Sequence, residues 1–370
     1  MLKIAEILFY NFNIELCYLL NRLNRQFLQV YRSLDIKKLI DKYPKEKKFL
    51  IYVRFYSYLP SPGTPAWLNT RSLIGGSEMS IVLGINPFQN PDELIRRKKN
   101  NSFYGNIYTR WGNIFEYLLF QVVAYLCRIS DKKLIELGSI PGLKYQNQII
   151  QSYTPDRIGI IDGDNLNILL GGTRKGMQII LFEGKCPIRR IPNGRIPSYY
   201  EPQILTGGCT IPIIDECIFV DGAFRWCSLE DLNFNNNYKQ NFHGNVYFSK
   251  PLALGFIGFY SNSYLFPEKK EIDESNIEKI FEEVVRFSRI NVFYSSICFD
   301  ELKKEEWFME NIEKYNTLKN KIGILSWKLF KIDFVSMKPQ KDFLEKNKNK
   351  ILDFVDKFNK FEESEEFVFD

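Results

Sequence analysis

The spacing of apolar positions along this chain changes several times, and each change marks an element. Residues 111–129, WGNIFEYLLFQVVAYLCRI, are apolar almost all round and predict a buried helix. Over residues 1–45, apolar side chains recur every three or four positions with basic residues between them, predicting one or two helices. FLIYVRFYSYL at 49–59 reads as a strand, and the prolines of PSPGTPA mark a loop after it. WLNTRSLIGGSEMSIVLGINP, from Trp67 to Pro87, predicts a glycine turn entering a short helix, and Pro91-Asp92 open another. Residues 145–185 read as strands: QNQIIQSYTPDRIGIID, a turn at Gly163, NLNILLGG and MQIILFEGK. PSYYEPQILTGG at 197–208 predicts a helix, and ECIFVDGAFRWCSL two strands joined at Asp221-Gly222. Beyond residue 265 the helical spacing of NIEKIFEEVVRFSRI and KDFLEKNKNKILDFVDKFNKF predicts a helical end, closed by the acidic tail EESEEFVFD.

Helix, then strands, then helix argue for one α/β (α+β) core, a central mixed sheet flanked by helices, with helical additions at both ends. As domains, residues 1–60 form a helical extension plus a strand, 61–265 the core, and 266–370 a helical region packed on it. A composition of 45% hydrophobic and 25% charged residues over 370 positions suits a folded chain. Fifty Lys and Arg against 44 Asp and Glu leave a net charge of +6, which permits a polyanionic partner without requiring one. The seven cysteines include no C-x-x-C pair and read as reduced thiols of an intracellular protein. No run of about 18 apolar residues predicts a membrane span, and the first residues read as an amphipathic helix, not a signal peptide. The lone histidine, His243, lies in the polar stretch NYKQNFHGNVYF. Triads and histidine-rich metal sites are thereby discouraged, leaving acid–base chemistry to carboxylates and lysines.

One carboxylate–lysine pair is well placed. In IILFEGKCP, strand alternation sends Glu183 and Lys185 to the same side of a strand end. Alone this would read as a surface ion pair. Upstream, however, TPDRIG puts Asp156 at the head of the preceding strand. Two acids on neighbouring strands can hold a hard divalent cation, and a lysine beside them can position or help deprotonate a water. A cation so held stabilises charge on a phosphodiester and supplies the nucleophile.

P-D, a spacer and E-x-K resemble the PD-(D/E)XK nucleases. RSLIGGSEMSIVLGINPF, WGNIFE, TPDRIG, FEGKCP and PSYYEPQI occur in the order seen in the YqaJ/lambda-type exonucleases. Most specifically, they resemble the versions carried by large cytoplasmic DNA viruses of the African swine fever virus kind. The motifs run from about Trp67 to Gln203, and GAFRWCSL and SWKLFKIDF look like later family segments. The resemblance implies a restriction-endonuclease-like core in which Asp156, Glu183 and the backbone carbonyl of Gly184 are metal ligands and Lys185 handles the attacking water. It implies that Glu116, one turn into the apolar helix, points into the site and supports the lysine or metal. It gives Ser77 and Arg71 to a terminal 5′-phosphate, although Ser77 also reads as an N-cap and the Arg71–Gly75 stretch is one residue shorter than the usual pattern. Gln203 matches a family glutamine near the site. Tyr199 and Tyr200 read by default as packing residues. Arg189, Arg190 and Arg195, just after the E-x-K strand, offer a phosphate track, whereas Arg96-Arg97-Lys98-Lys99 suit solvation as well as DNA contact. Arg157 stands where the family usually has glycine, and its guanidinium is expected to meet a phosphate.

The activity implied is a Mg²⁺- or Mn²⁺-dependent deoxyribonuclease, using two ions, that degrades one strand of linear duplex DNA from a 5′ end in viral recombination, repair or genome processing. Double-stranded DNA ends are the implied substrate and a single-strand annealing protein the implied partner. A host-cytoplasmic location and a ring-forming oligomer are compatible with such relatives. The alternatives are a structure- or sequence-specific endonuclease on the same core, or a DNA-binding or host-interaction protein without cleavage.

Overall fold

A computed structural model of the chain describes residues 43–361, apart from 58, 60–71, 101–104, 235–237, 240–245, 248–249, 262, 264–265, 267–271 and 274. The helices expected before residue 43, Arg71, His243 and the acidic tail from residue 362 onwards lie outside the described residues.

The molecule is a mixed α/β fold built on a seven-stranded sheet flanked by helices. In chain order the strands are β1 (Leu134–Ile135), β2 (Arg157–Asp162), β3 (Met177–Lys185), β4 (Glu216–Cys227), β5 (Ala253–Ser261), β6 (Ile290–Tyr294) and β7 (Lys321–Met337). Their spatial order is β6-β5-β7-β4-β3-β2-β1. All neighbours are antiparallel except β3 and β4, which run parallel with Glu183 opposite Phe219 and Lys185 opposite Asp221. A parallel pair requires a crossover, and residues 186–215 supply it. A smaller parallel-and-antiparallel sheet joins Ile74–Gly75, Gln151–Tyr153 and Ile140–Pro141 beside the ends of β2 and β3.

Eight helices concern the argument: α1 (Lys45–Tyr56), α2 (Pro91–Asn100), α3 (Ile107–Leu126), α4 (Gly163–Leu170), α5 (Glu201–Thr210), α6 (Ile277–Val285), α7 (Lys304–Asn316) and α8 (Lys348–Lys360). The buried residues of α3 include Trp111, Ile114, Phe115, Leu118, Leu119, Val122 and Val123, a continuous apolar stripe that lies against the sheet. Each such large side chain contributes about 1.5–3 kcal/mol when withdrawn from water. The Asn106 side chain caps α3 by accepting from the Thr109 N–H at 3.1 Å. The opposite sheet face is covered by α1 and α5, whose Phe49, Tyr52, Phe55 and Ile204 join Ile158, Ile179, Leu181 and Phe219.

Four expectations are corrected. Residues 45–56 are helical because burial falls on Phe49, Tyr52 and Phe55, three positions apart, while Leu50 between them is 64% exposed. NLNILLGG is the body of α4, capped by the Asp162 side chain and ended by Gly171 at φ 68°, a conformation glycine adopts without strain. Asp221-Gly222 is no turn: β4 runs straight through, and Gly222 is needed because an added Cβ would sit 2.7 Å from Leu119 of α3. Residues 266–370 are more than a helical addition. They supply β6 and β7, and β7 lies between β5 and β4 within the main sheet. Its positions 322–330 are all buried, so neither alternation nor a helical period shows in them.

Candidate active site

The end of β3 places the chemistry. Glu183 is completely buried, and both of its oxygens are engaged. Oε1 accepts from Lys185 Nζ at 2.6 Å and from the Gln203 side-chain amide on α5. Oε2 accepts from the Tyr153 hydroxyl at 2.6 Å. Asp156, just before β2, accepts the Gly184 backbone N–H on Oδ2 at 2.8 Å, and the same oxygen lies 3.9 Å from Lys185 Nζ. Lys185 also stands 5.3 Å from the centre of the Tyr200 ring. Asp156, Glu183, Lys185, Gly184 and Gln203 are thus brought into one hydrogen-bonded set.

Glycines make this set possible. A Cβ on Gly184 would lie 2.8 Å from Phe120 Cζ and 2.9 Å from Leu119 Cδ2, so α3 can approach β3 only at a glycine. That close approach brings Glu116, one turn earlier on α3, into the same cleft as Asp156 and Lys185. Gly76 serves Glu183 indirectly. A Cβ there would stand 2.3 Å from the Tyr153 ring, whose hydroxyl holds Glu183.

A cleft of about 1200 Å³ opens over the set. Asp156, Glu116, Lys185 and Gln203 line it, as do Gly75, Gly76 and Ser77. Arg97 and Lys98 of α2, together with Arg189 and Arg190 of the crossover, also line it. Ser77 is exposed within a 3₁₀ turn over Gly76–Glu78, and its side chain makes no capping bond. Glu78 takes the capping role, accepting from the Gly75 N–H at 2.9 Å while pairing with Lys98 at 2.7 Å and Arg97 at 3.3 Å. Arg189 is exposed with its guanidinium 5.1 Å over Tyr108, and Arg190 forms a two-pronged pair with Asp221 of β4. Arg195 is exposed and stands apart from the cleft lining, its N–H donating to Asn193 Oδ1 at 3.2 Å. Tyr199 and Tyr200 both line the cleft and pack on each other, and the exposed Phe88 meets Tyr199 edge-on at 5.3 Å.

Arg157 departs from the expected phosphate contact. It is 7% exposed, and its guanidinium is taken up by Glu136 at 2.5 Å, Glu116 at 3.6 Å, the Asp156 carbonyl and the face of Phe120. Its position at the start of β2 turns it inward, so it acts on the site through Glu116. Tyr153 and Asp221 were not singled out in the sequence. Tyr153 stands three residues before Asp156 in QSYTPD, a spacing that could have drawn attention to it.

The carboxylates are in excess of their cations. Burial, then the neighbouring Asp156, push Glu183 up to about 7, against the pull of Lys185. Burial and Asp156 likewise raise Glu116 to about 8. Burial alone would lower Lys185, but Glu183 and Asp156 hold it above the ordinary lysine range. A hard dication suits a set of carboxylate oxygens whose mutual repulsion Lys185 and Arg157 offset only in part. Among the described residues, no three of His, Cys, Asp and Glu stand close enough to form a ligand cluster unaided.

These shifts have a consequence for stability. The unfolded carboxylates release their protons near 4.5, the folded ones only near 7 and 8, so between those values the folded chain binds more protons. Stability must therefore fall as pH rises through that window. The metal-free protein should melt at a lower temperature at about pH 8 than at about pH 5.5, with added Mg²⁺ or Mn²⁺ recovering part of the difference at pH 8. Glu183→Gln should flatten the profile. Thermal unfolding across pH checks this, and a profile that rises to pH 8 without metal contradicts it.

No known family profile matches the chain. It is similar to a protein of African swine fever virus. With that protein from isolate Tick/Malawi/Lil 20-1/1983 it is 25% identical over 322 residues, spanning 79% of this chain and 84% of that one. The same viral protein from strain Badajoz 1971 Vero-adapted gives equal identity and coverage. Among solved structures, LHK-Exo in complex with dAMP aligns over 80% of this chain and 93% of that chain, with a TM-score of 0.35 and 11% identity. The alkaline exonuclease LHK-Exo from Laribacter hongkongensis aligns over 69% and 96%, with a TM-score of 0.29 and 15% identity. The chain thus resembles a protein of African swine fever virus, and its motifs, in order, resemble those of the lambda-type exonucleases. No helix among the described residues is long and apolar enough to cross a membrane.

Proposed function

We propose that this chain is a metal-dependent deoxyribonuclease that removes nucleotides from the 5′ ends of linear duplex DNA. The observation that carries this reading is the convergence of Asp156, Glu183, Lys185 and Gln203 on the end of β3, open to a cleft lined by cations and aromatic rings. The ordered motifs, similar to those of the lambda-type exonucleases, support it.

Asp156, Glu183 and Glu116, with the Gly184 carbonyl, would hold Mg²⁺ or Mn²⁺ there once the three carboxylates drew closer and Glu183 exchanged one of its present donors for the ion. The bound metal would supply an acidified water and relieve charge developing on the phosphate. Lys185 sits between Glu183 and Asp156, so its ammonium can donate to a water or phosphate oxygen on the cleft side without leaving its carboxylates. Gln203 and Tyr153 fix the Glu183 carboxylate from two directions, so its orientation does not have to be established during the reaction. Arg189, with Arg97 and Lys98, whose two charges exceed that of the Glu78 they share, gives the DNA backbone a cationic lining. The Ser77 hydroxyl, exposed at the cleft, offers a neutral donor toward a terminal phosphate.

The test uses linear duplex DNA with a 5′-phosphate at one end, a 5′-hydroxyl at the other and distinct labels near each. With Mg²⁺ or Mn²⁺, label near the 5′-phosphate end should be released first and a covalently closed circle should stay intact. Cutting of the circle would assign the endonuclease reading instead. No digestion of any DNA with either metal would overturn the nuclease reading.

A further inference from the structure

The proposed chemistry makes no use of Arg157, which stands at the head of β2 directly after Asp156 and is 7% exposed. Four groups box in its guanidinium. Nη2 meets Glu136 at 2.5 Å, while Nη1 lies 3.6 Å from Glu116 Oε1 and donates to the Asp156 carbonyl at 2.5 Å. The Phe120 ring, one turn beyond Glu116 on α3, carries the guanidinium on its face, 4.8 Å from the ring centre. Arg157 cannot swing out to a phosphate without abandoning all four. It is a fixed cation against one carboxylate of the proposed metal site.

The charge of that site is therefore nearly balanced by the chain itself. Glu116, Asp156 and Glu183 face the cations Lys185 and Arg157, and Glu136 adds a fourth acid at the exposed rim. What remains is an excess of one or two negative charges. One dication and the phosphodiester it meets bring that excess close to zero, whereas a second dication would leave the site positive even with the phosphate in place. A second ion at Glu116 would also face the guanidinium across a single carboxylate, where like charges repel. We propose that Arg157 stands in at Glu116 for a second metal ion, so that the site takes up one divalent cation where the motifs alone imply two. A guanidinium neutralises charge but has no acceptor and coordinates nothing, so it fills only the electrostatic part of that role.

The inference rests on the proposed metal site but is read by counting ions, which needs no cleavage. Mn²⁺ would be titrated into the wild type, R157Q and R157K, each alone and bound to a linear duplex with phosphorothioate linkages. Calorimetry gives the count, and electron paramagnetic resonance distinguishes an isolated ion from a pair. The wild type is expected to take one Mn²⁺ per chain with an isolated-ion spectrum, and R157K, which keeps the charge, to do the same. R157Q should take two, with the coupled spectrum of ions about 4 Å apart. Two ions in the wild type or in R157K, or one in folded R157Q, would overturn the inference. Should R157Q lack a cooperative unfolding transition, R157M takes its place with the same expectation. A wild type that takes one ion but digests no DNA would refute the nuclease reading and leave the count standing. One that digests DNA with two ions bound would do the reverse, and a chain that takes no Mn²⁺ in either setting would overturn both the inference and the metal dependence.

Discussion

Lys185→Ala is expected to abolish most DNA cleavage, with a fall in kcat of about 10²–10⁴, the usual weight of a positioned proton-transfer group. The size follows from where the ammonium lies. It bridges Glu183 at 2.6 Å and Asp156 at 3.9 Å and faces the cleft, so its removal takes away the proton donor and leaves a fully buried carboxylate without its cation. Breaking such a pair costs about 3 kcal/mol or more. Glu183 would respond by holding its proton to still higher pH, which weakens any metal the site takes up. The variant therefore has to be compared in Mg²⁺ at several pH values, with its melting temperature recorded alongside. Asp156→Asn offers a milder contrast, because it keeps an acceptor for the Gly184 N–H while removing one charge. Duplex binding in EDTA should change far less than turnover in both. Digestion at the wild-type rate by either variant would remove the assigned roles.

The site was legible where its chemistry is local in sequence. Glu183 and Lys185 share a strand face by alternation alone, and Asp156 heads the neighbouring strand, so antiparallel pairing of β2 with β3 was enough to bring them together. Gln203 came only through the ordered motifs, since nothing in the pattern of EPQILTGG says that α5 crosses beneath Glu183. Tyr153 and Asp221 went unseen for a related reason. Their partners lie 30 and 31 positions away, across strand pairings that no local rhythm records. Arg157 was misjudged because a charged residue beside an acid motif reads as a ligand contact, whereas its flanking strand is covered on both faces and turns it onto Glu136 and Glu116.

The fold was harder to read where burial is complete. β7 runs KIGILSWKLFKIDFVSM, and Lys328, only 1% exposed, breaks its apolar run in the way a helical surface residue would. The aromatic-rich α1 suffered the converse error, since phenylalanine and tyrosine suit a strand by propensity and a helix by tertiary packing. The glycines were the most informative residues once placed. Gly222 looks like a turn residue in sequence and Gly184 like a spacer between two functional side chains, yet on neighbouring strands β4 and β3, with Gly184 opposite Val220, both lie against Leu119. There, the missing side chains set the distance between helix and sheet.

That distance makes Gly184 the most sensitive position in the packing of the site. Gly184→Val is expected to destabilise the protein by about 1–3 kcal/mol, the range for overpacking a filled core, because Phe120 and Leu119 already occupy the space within 3.0 Å of the new Cβ. Gly184→Ala should have a smaller effect of the same sign, since Phe120 meets the methyl with the far end of its ring. The cost to activity should exceed the cost to stability. Helix α3 can relieve the clash only by moving off β3, and it carries Glu116 with it, while Phe120 is also the ring on which Arg157 rests. Gly112, on the same helix, is the internal control: a Cβ there meets nothing within 4 Å. Gly112→Ala should stabilise by up to about 1 kcal/mol through helix propensity alone. Denaturant unfolding of the three variants, with cleavage measured in Mg²⁺, separates the two effects. If Gly184→Ala behaved like Gly112→Ala in both readouts, close packing of α3 on the E-x-K strand could not be what brings Glu116 to the site.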